Sequence, residues 1–171
     1  GALLASAILW YHGHSPLVMH LATLDPDQDH VVTIFKKGKL YGALSKTNHA
    51  VLRYRDPIYK TPRELALSYF HEYFLNKNGK KTLLGYTNFI NLKRFGTAWI
   101  TSEKNLWHIN DALFRAKHIP IIAKKILKKL RPAEPLERKA GTLIEWSHGK
   151  APKSMVKSHH AKNKNKKHGK Q

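Results

Sequence analysis

The chain has 171 residues, enough for one domain and an appendage, since single domains run about 100 to 150 residues. It holds 31 Lys and Arg against 11 Asp and Glu, a formal net charge of +20, and no cysteine. Structural disulfides, thiolate metal sites and a thiol nucleophile within these residues are excluded, and the longest apolar run, Ala2 to Tyr11, is far short of the roughly 20 residues a membrane helix needs.

The basic charge is uneven. From Lys150 onward there are eight Lys, interspersed His and Asn, and no acidic residue, which is the composition of a solvated, disordered tail. The sequence divides into a folded part, residues 1–147, and a Lys/His-rich tail, residues 148–171. No charged region precedes the apolar run as a signal peptide would require, so the expected location is the cytoplasm, with a cropped signal-peptide remnant as the alternative.

Leu3, Leu4, Ala7, Ile8 and Tyr11 recur at spacings of three and four, predicting a helix that Gly13 ends. This helix begins at Gly1 without a Ser, Thr, Asp or Asn cap, as expected if further residues precede it. Leu17 to Leu21 reads as a strand and Asp25-Pro26-Asp27-Gln28-Asp29 as a polar turn. His30 to Phe35 and Leu40 to Leu44 form a hairpin around Lys36-Lys37-Gly38-Lys39. With a two-residue Lys37-Gly38 loop, His30 faces Ser45; a three-residue loop with a glycine bulge would bring Leu44 opposite instead.

Thr61-Pro62-Arg63-Glu64 carries the marks of a helix start, with the helix expected to run to Asn76 and to bury an aromatic face containing Tyr69, Phe70 and Tyr73. Strands are expected near Thr82 to Tyr86 and Ala98 to Ile100. A helix from Thr101 or Ser102 to Ala116 would point Leu106, Ile109 and Leu113 inward. Another from Pro120 would point Ile122, Ile126 and Leu130 inward and Lys124, Lys125, Lys128 and Lys129 outward. Pro132 and Pro135 end regular structure, and Leu143 to Trp146 reads as a last docked segment. The fold class is therefore α+β, an opening helix packed on a small antiparallel sheet followed by several helices.

No phosphate-binding glycine loop or zinc-binding helix motif occurs, and no cofactor is expected. His12, His14 and His20 form the tightest histidine cluster; without a carboxylate group beside them they read as surface residues rather than metal ligands. His30 stands apart, because it begins the central hairpin after an acidic turn, where a side chain reaches the edge of the sheet. Arg53, Arg55 and Asp56 form a charged patch suited to a structural ion-pair network or to holding an anionic substrate.

The segments Leu9-Trp10-Tyr11-His12-Gly13, Asp29-His30-Val31-Val32, Lys46-Thr47-Asn48-His49, Leu52-Arg53-Tyr54-Arg55-Asp56-Pro57 and Tyr69-Phe70-His71-Glu72-Tyr73-Phe74 resemble an uncharacterised bacterial branch of the transglutaminase-like, papain-like superfamily over residues 1–100. The resemblance implies a catalytic order of helix-borne Cys, strand-borne His and a carboxylate or amide on the next strand. It assigns His30 as base and places the nucleophile ahead of Gly1, at the helix amino end. The orienting position falls near Ser45, which is neither carboxylate nor amide, whereas Asn48 has that chemistry three residues later. The implied activity is hydrolysis or acyl transfer at an amide bond of a protein or peptide substrate, with Arg53 and Arg55 as substrate contacts and the chain as given inactive. A different class of function, a non-enzymatic basic module or pseudoenzyme contacting RNA or an acidic partner through its lysines, is the alternative.

Overall fold

The computed structural model describes residues 1–145. The tail and Trp146 lie outside them.

Helix α1 spans Ala2–Tyr11 and is apolar around nearly its whole circumference. Its single serine, Ser6, is buried and bonds the Thr33 hydroxyl at 3.2 Å, while Thr33 Oγ1 donates to the Ala2 carbonyl at 2.6 Å. The helix ends as the sequence predicts. Gly13 takes φ +84°, its N–H reaches the Trp10 carbonyl and the His14 N–H the Leu9 carbonyl, the paired bonds of a Schellman cap.

Among the described residues seven strands make one antiparallel sheet: β1 Leu17–Thr23, β2 His30–Lys37, β3 Leu40–Leu44, β4 Tyr54–Tyr59, β5 Leu83–Thr87, β6 Ile90–Asn91 and β7 His118–Pro120. Their order is β4-β3-β2-β1-β5-β7, with β6 also pairing β1. Strand β4, absent from the sequence reading, holds Pro57 and lies at the sheet edge, where a missing backbone donor is tolerated. The α+β class is as expected, although the sheet is larger than the three strands around the hairpin.

The hairpin register differs from both expected registers. Lys37 pairs Leu40 and Thr33 pairs Leu44, so the two-residue loop is Gly38-Lys39. Gly38, at φ +60°, occupies the first loop position, where a hairpin turn of the primed type II demands a positive φ. Ser45 is therefore not directly opposite His30.

One face of the sheet buries Met19, Leu21, Val32, Ile34 and Ala43 against helix α2, Pro62–Leu67, and the turn that follows it. The Thr61 hydroxyl accepts the Glu64 N–H at 3.1 Å, as its sequence context predicts, while the Glu64 carboxylate reaches back to the Lys60 N–H. This helix stops nine residues short of Asn76. Ser68 turns its hydroxyl onto the Leu65 carbonyl and gives its own carbonyl to Arg55, removing the acceptor that another turn would use. Tyr69 and Tyr73 are nevertheless buried as expected.

The opposite face buries Val18 with Ile109 and Leu113 of helix α3, Trp107–Arg115. Its inner row is the expected one, but it begins five residues after Ser102 and without a side-chain cap. Trp99 is buried in a turn where a strand was expected. Pro120 closes β7 rather than opening a helix, and helix α4 covers only Lys124–Leu127. It buries Leu127, leaving Ile126 exposed, because a single turn cannot carry the long i, i+4 row expected there. Pro135, expected to end regular structure, instead opens helix α5, Pro135–Gly141, behind a reciprocal Glu134/Glu137 capping box.

Candidate active site

The site lies where α1 begins and where β2 and β3 meet at one end of the sheet. The Ser6, Thr33 and Ala2 contacts bind α1 along β2, and the residue at its N-cap, Gly1, abuts the segment after β3 closely enough that a Cβ there would lie 2.8 Å from the Lys46 carbonyl oxygen. His30, at the start of β2, places Nε2 at 2.7 Å from Ser45 Oγ. Although the register offsets the two residues, the diagonal between neighbouring strands is within reach of an imidazole. Ser45 is buried and its N–H donates to the Arg53 carbonyl, so its hydroxyl holds the ring from a fixed position.

A cavity of about 330 Å³ is lined jointly by Gly1, Ala2, His30 and Ser45, with Ile109 and Asn110 contributed by α3. Burial pushes the His30 imidazole down to about 4, assisted by the positive potentials of His49, the Gly1 amino group and His20. The ring is therefore neutral at pH 7. With hydrogen on Nε2 and donated to Ser45, Nδ1 keeps a lone pair that can take a proton.

Asn48 lies in the half-buried segment beyond Ser45, and its backbone carbonyl accepts the Glu145 N–H at 3.1 Å. The hydroxyl of Ser45 meets His30. Arg53 donates through Nε to the Thr47 carbonyl at 2.8 Å and pairs with Glu145. Arg55 donates to the Val51, Tyr54 and Ser68 carbonyls and to Ser68 Oγ, pairs with Glu72, and lies 4.1 Å over the Tyr69 ring. Both guanidinium groups are thus engaged inside the fold, and their acidic partners are Glu72 and Glu145 rather than the neighbouring Asp56. Leu143 to Glu145 is docked as expected, through the Ala50 N–H to the Leu143 carbonyl and a bridge between Ile144 and His49.

His20 corrects the surface reading of the histidines. It is 1% exposed, packs on Phe114, and shares a 2.8 Å contact between its Nδ1 and His118 Nε2. Asp29 Oδ2 stands 3.6 Å from its other nitrogen. Burial lowers its pKa, with Asp29 opposing and His118 adding to the shift. Ninety-eight residues separate His20 from His118, so no local pattern joins them. Asn110 was likewise missed, because on a helix the residue beside Ile109 reads as flank. Among the described residues no group of three or more His, Asp or Glu is placed to hold a metal ion, and no helix is long and apolar enough to cross a membrane. No protein-family model and no curated protein matches the chain.

Proposed function

We propose that this chain is the body of a transglutaminase-like acyl-transfer domain in which His30 is the general base and Ser45 orients it. The observation that carries the proposal is the convergence of α1's amino end, the neutral His30 ring and the Ser45 hydroxyl on one cavity. A thiol there would meet the unpaired N–H groups of a helix terminus, which favour the thiolate, and a ring nitrogen able to accept its proton. The chain has no cysteine, so the proposal requires a thiol supplied ahead of Gly1. Gly1 itself cannot be that position, because its Cβ would collide with backbone at Lys46. The thiolate attacks an acyl carbonyl, the protonated His30 returns its proton to the leaving amine, and water or a second amine then resolves the thioester.

The test is the 171-residue chain with one Cys joined ahead of Gly1, mixed with p-nitrophenyl acetate. A burst of nitrophenolate close to one equivalent is expected, slowed roughly 100-fold or more by His30→Ala. A burst rate that ignores His30 overturns the proposal. The fold would then be a non-catalytic scaffold, with the exposed Lys124, Lys125, Lys128 and Lys129 of α4 and its flank as the surface for RNA or an acidic partner.

A further inference from the structure

His30 also lines a second cleft, on the α2 side of the sheet, with a volume of about 430 Å³. Its wall carries Asp27, Asp29 and Glu72 and no Lys or Arg. In a chain with nearly three cations for every anion, three of the 11 carboxylates gathered around one cleft form a reversal of local charge. Asp27 is fixed by the Gln28 N–H at 2.8 Å and by the Thr82 hydroxyl. Asp29 is fixed by the Thr23 N–H at 2.6 Å and hydroxyl at 3.1 Å. These neutral donors set the orientation of the carboxylates without cancelling their charge. Asp29 Oδ2 stands 3.6 Å from the His20 imidazole, and Glu72 pairs with Arg55, which takes one of its oxygens, and also feels the positive charge of Lys81.

A second, independent observation points to a ligand. Tyr73 lines this cleft, is 4% exposed, and its hydroxyl has no hydrogen-bond partner among the described residues. A buried phenol without a partner is costly, and such groups call for an explanation. Burial raises its pKa, and the negative charges of Asp27, Asp29 and Glu72 add to the rise together with Tyr69, which places the phenol within the field of the three carboxylates. Beside it, Leu52, Phe74 and Leu75 supply an apolar wall.

We propose that this cleft binds the side chain of a lysine or arginine presented by a peptide. A long apolar stem ending in a cation matches a half-apolar wall ending in carboxylates and an unpartnered phenol oxygen. The aromatic ring of Tyr73 favours a cation over a neutral group of equal length, while the Phe74 ring already carries Lys81 Nζ at 5.1 Å from its centroid. The site is independent of the acyl-transfer proposal, because it needs no thiol; if both hold, the peptide bound there passes His30.

The peptide has two sources, a separate chain or this chain's own lysines beyond Lys150. The experiment titrates the full 171-residue protein with acetyl-Ala-Lys-Ala-amide and, separately, with its norleucine counterpart, following the NMR signals of Leu52, Tyr73 and Phe74. Saturable shifts are expected with the lysine peptide and binding at least about tenfold weaker with norleucine. The Asp27→Asn, Glu72→Gln double variant, checked for an unchanged fold by its backbone spectrum, should lose the preference. A full-length variant with the eight lysines from Lys150 onward changed to Ser separates the sources. If the chain's own lysines occupy the cleft, these signals move in that variant before any peptide is added and the peptide binds more tightly; if a separate peptide is the ligand, they do not move. Equal binding of lysine and norleucine peptides, or no saturable shift in either form of the chain, overturns the proposal whatever the acylation experiment shows.

Discussion

Arg55→Ala is expected to destabilise the fold by about 3 to 5 kcal/mol, the usual cost of removing one partner from a largely buried, hydrogen-bonded ion pair. The side chain is 13% exposed. It ties the edge strand β4 to the end of α2 through the Ser68 carbonyl and hydroxyl and through Glu72, and closes the preceding turn through the Val51 carbonyl. Truncation takes this donor from the part-buried Val51 and Ser68 carbonyls, the exposed Tyr54 carbonyl and the half-buried Glu72 carboxylate, and strips a cation from the Tyr69 ring. Lysine should not restore the loss, since a single ammonium cannot span these acceptors as a planar fork does. Arg53→Ala is the internal comparison: its side chain is 31% exposed and its partner Glu145 36%, so its ion pair should be worth about 1 kcal/mol or less. Urea unfolding of the three variants measures both values, and equal costs for Arg55→Ala and Arg53→Ala would contradict this assignment of roles.

Acid should weaken the protein through His30 well before its carboxylates are all protonated. The folded ring titrates at about 4 against 6.5 for the free side chain. Above pH 6.5 the ring is neutral in both states and contributes no pH dependence. Between 6.5 and 4 the unfolded chain takes up a proton that the folded chain refuses, so stability falls as pH falls, by on the order of 3 kcal/mol in full. His20, also lowered by burial, acts in the same direction. Replacing His30 by Gln removes one titrating group and leaves the others in place. The loss of stability between pH 7 and 4.5 should therefore shrink by roughly 2 kcal/mol in His30→Gln. An identical pH profile for the two proteins would mean that His30 is solvated.

The parts of this fold that local chemistry dictates were legible in the sequence. The Gly13 cap, the strands on either side of Gly38, the Thr61 cap and the inward pair Ile109 and Leu113 each follow from residues within one or two turns of one another. What escaped depends on distant partners. Strand β4 looks unlike a strand because of Pro57, which only an edge accepts. The helix after Thr61 is cut short at Ser68 by an arginine 13 residues upstream. Pro120 has the same local signature at the end of a strand as at the start of a helix.

The candidate site shows the same division. His30 and Ser45 were singled out from their places on the hairpin, and they do meet, but through a diagonal that the shifted loop creates rather than by facing each other. The charge of the second cleft could not be read from the chain, because Asp27 and Asp29 lie more than 40 residues from Glu72 and the basic total conceals them. His20 and His118 are joined only by the sheet order β1-β5-β7.

The proposed acyl-transfer site requires that a thiol ahead of Gly1 face the His30 ring, and an NMR titration of that ring tests this most directly. Two chains would be labelled at histidine, one with Cys and one with Ser joined ahead of Gly1. In the Ser form the ring should titrate near 4. In the Cys form a thiolate supplies the opposite charge that burial denies the ring, so its titration should move roughly two pH units higher and return on alkylation of the thiol. If His30 titrates identically in the two chains, the helix amino end and the imidazole do not form one site, and the acyl-transfer proposal fails.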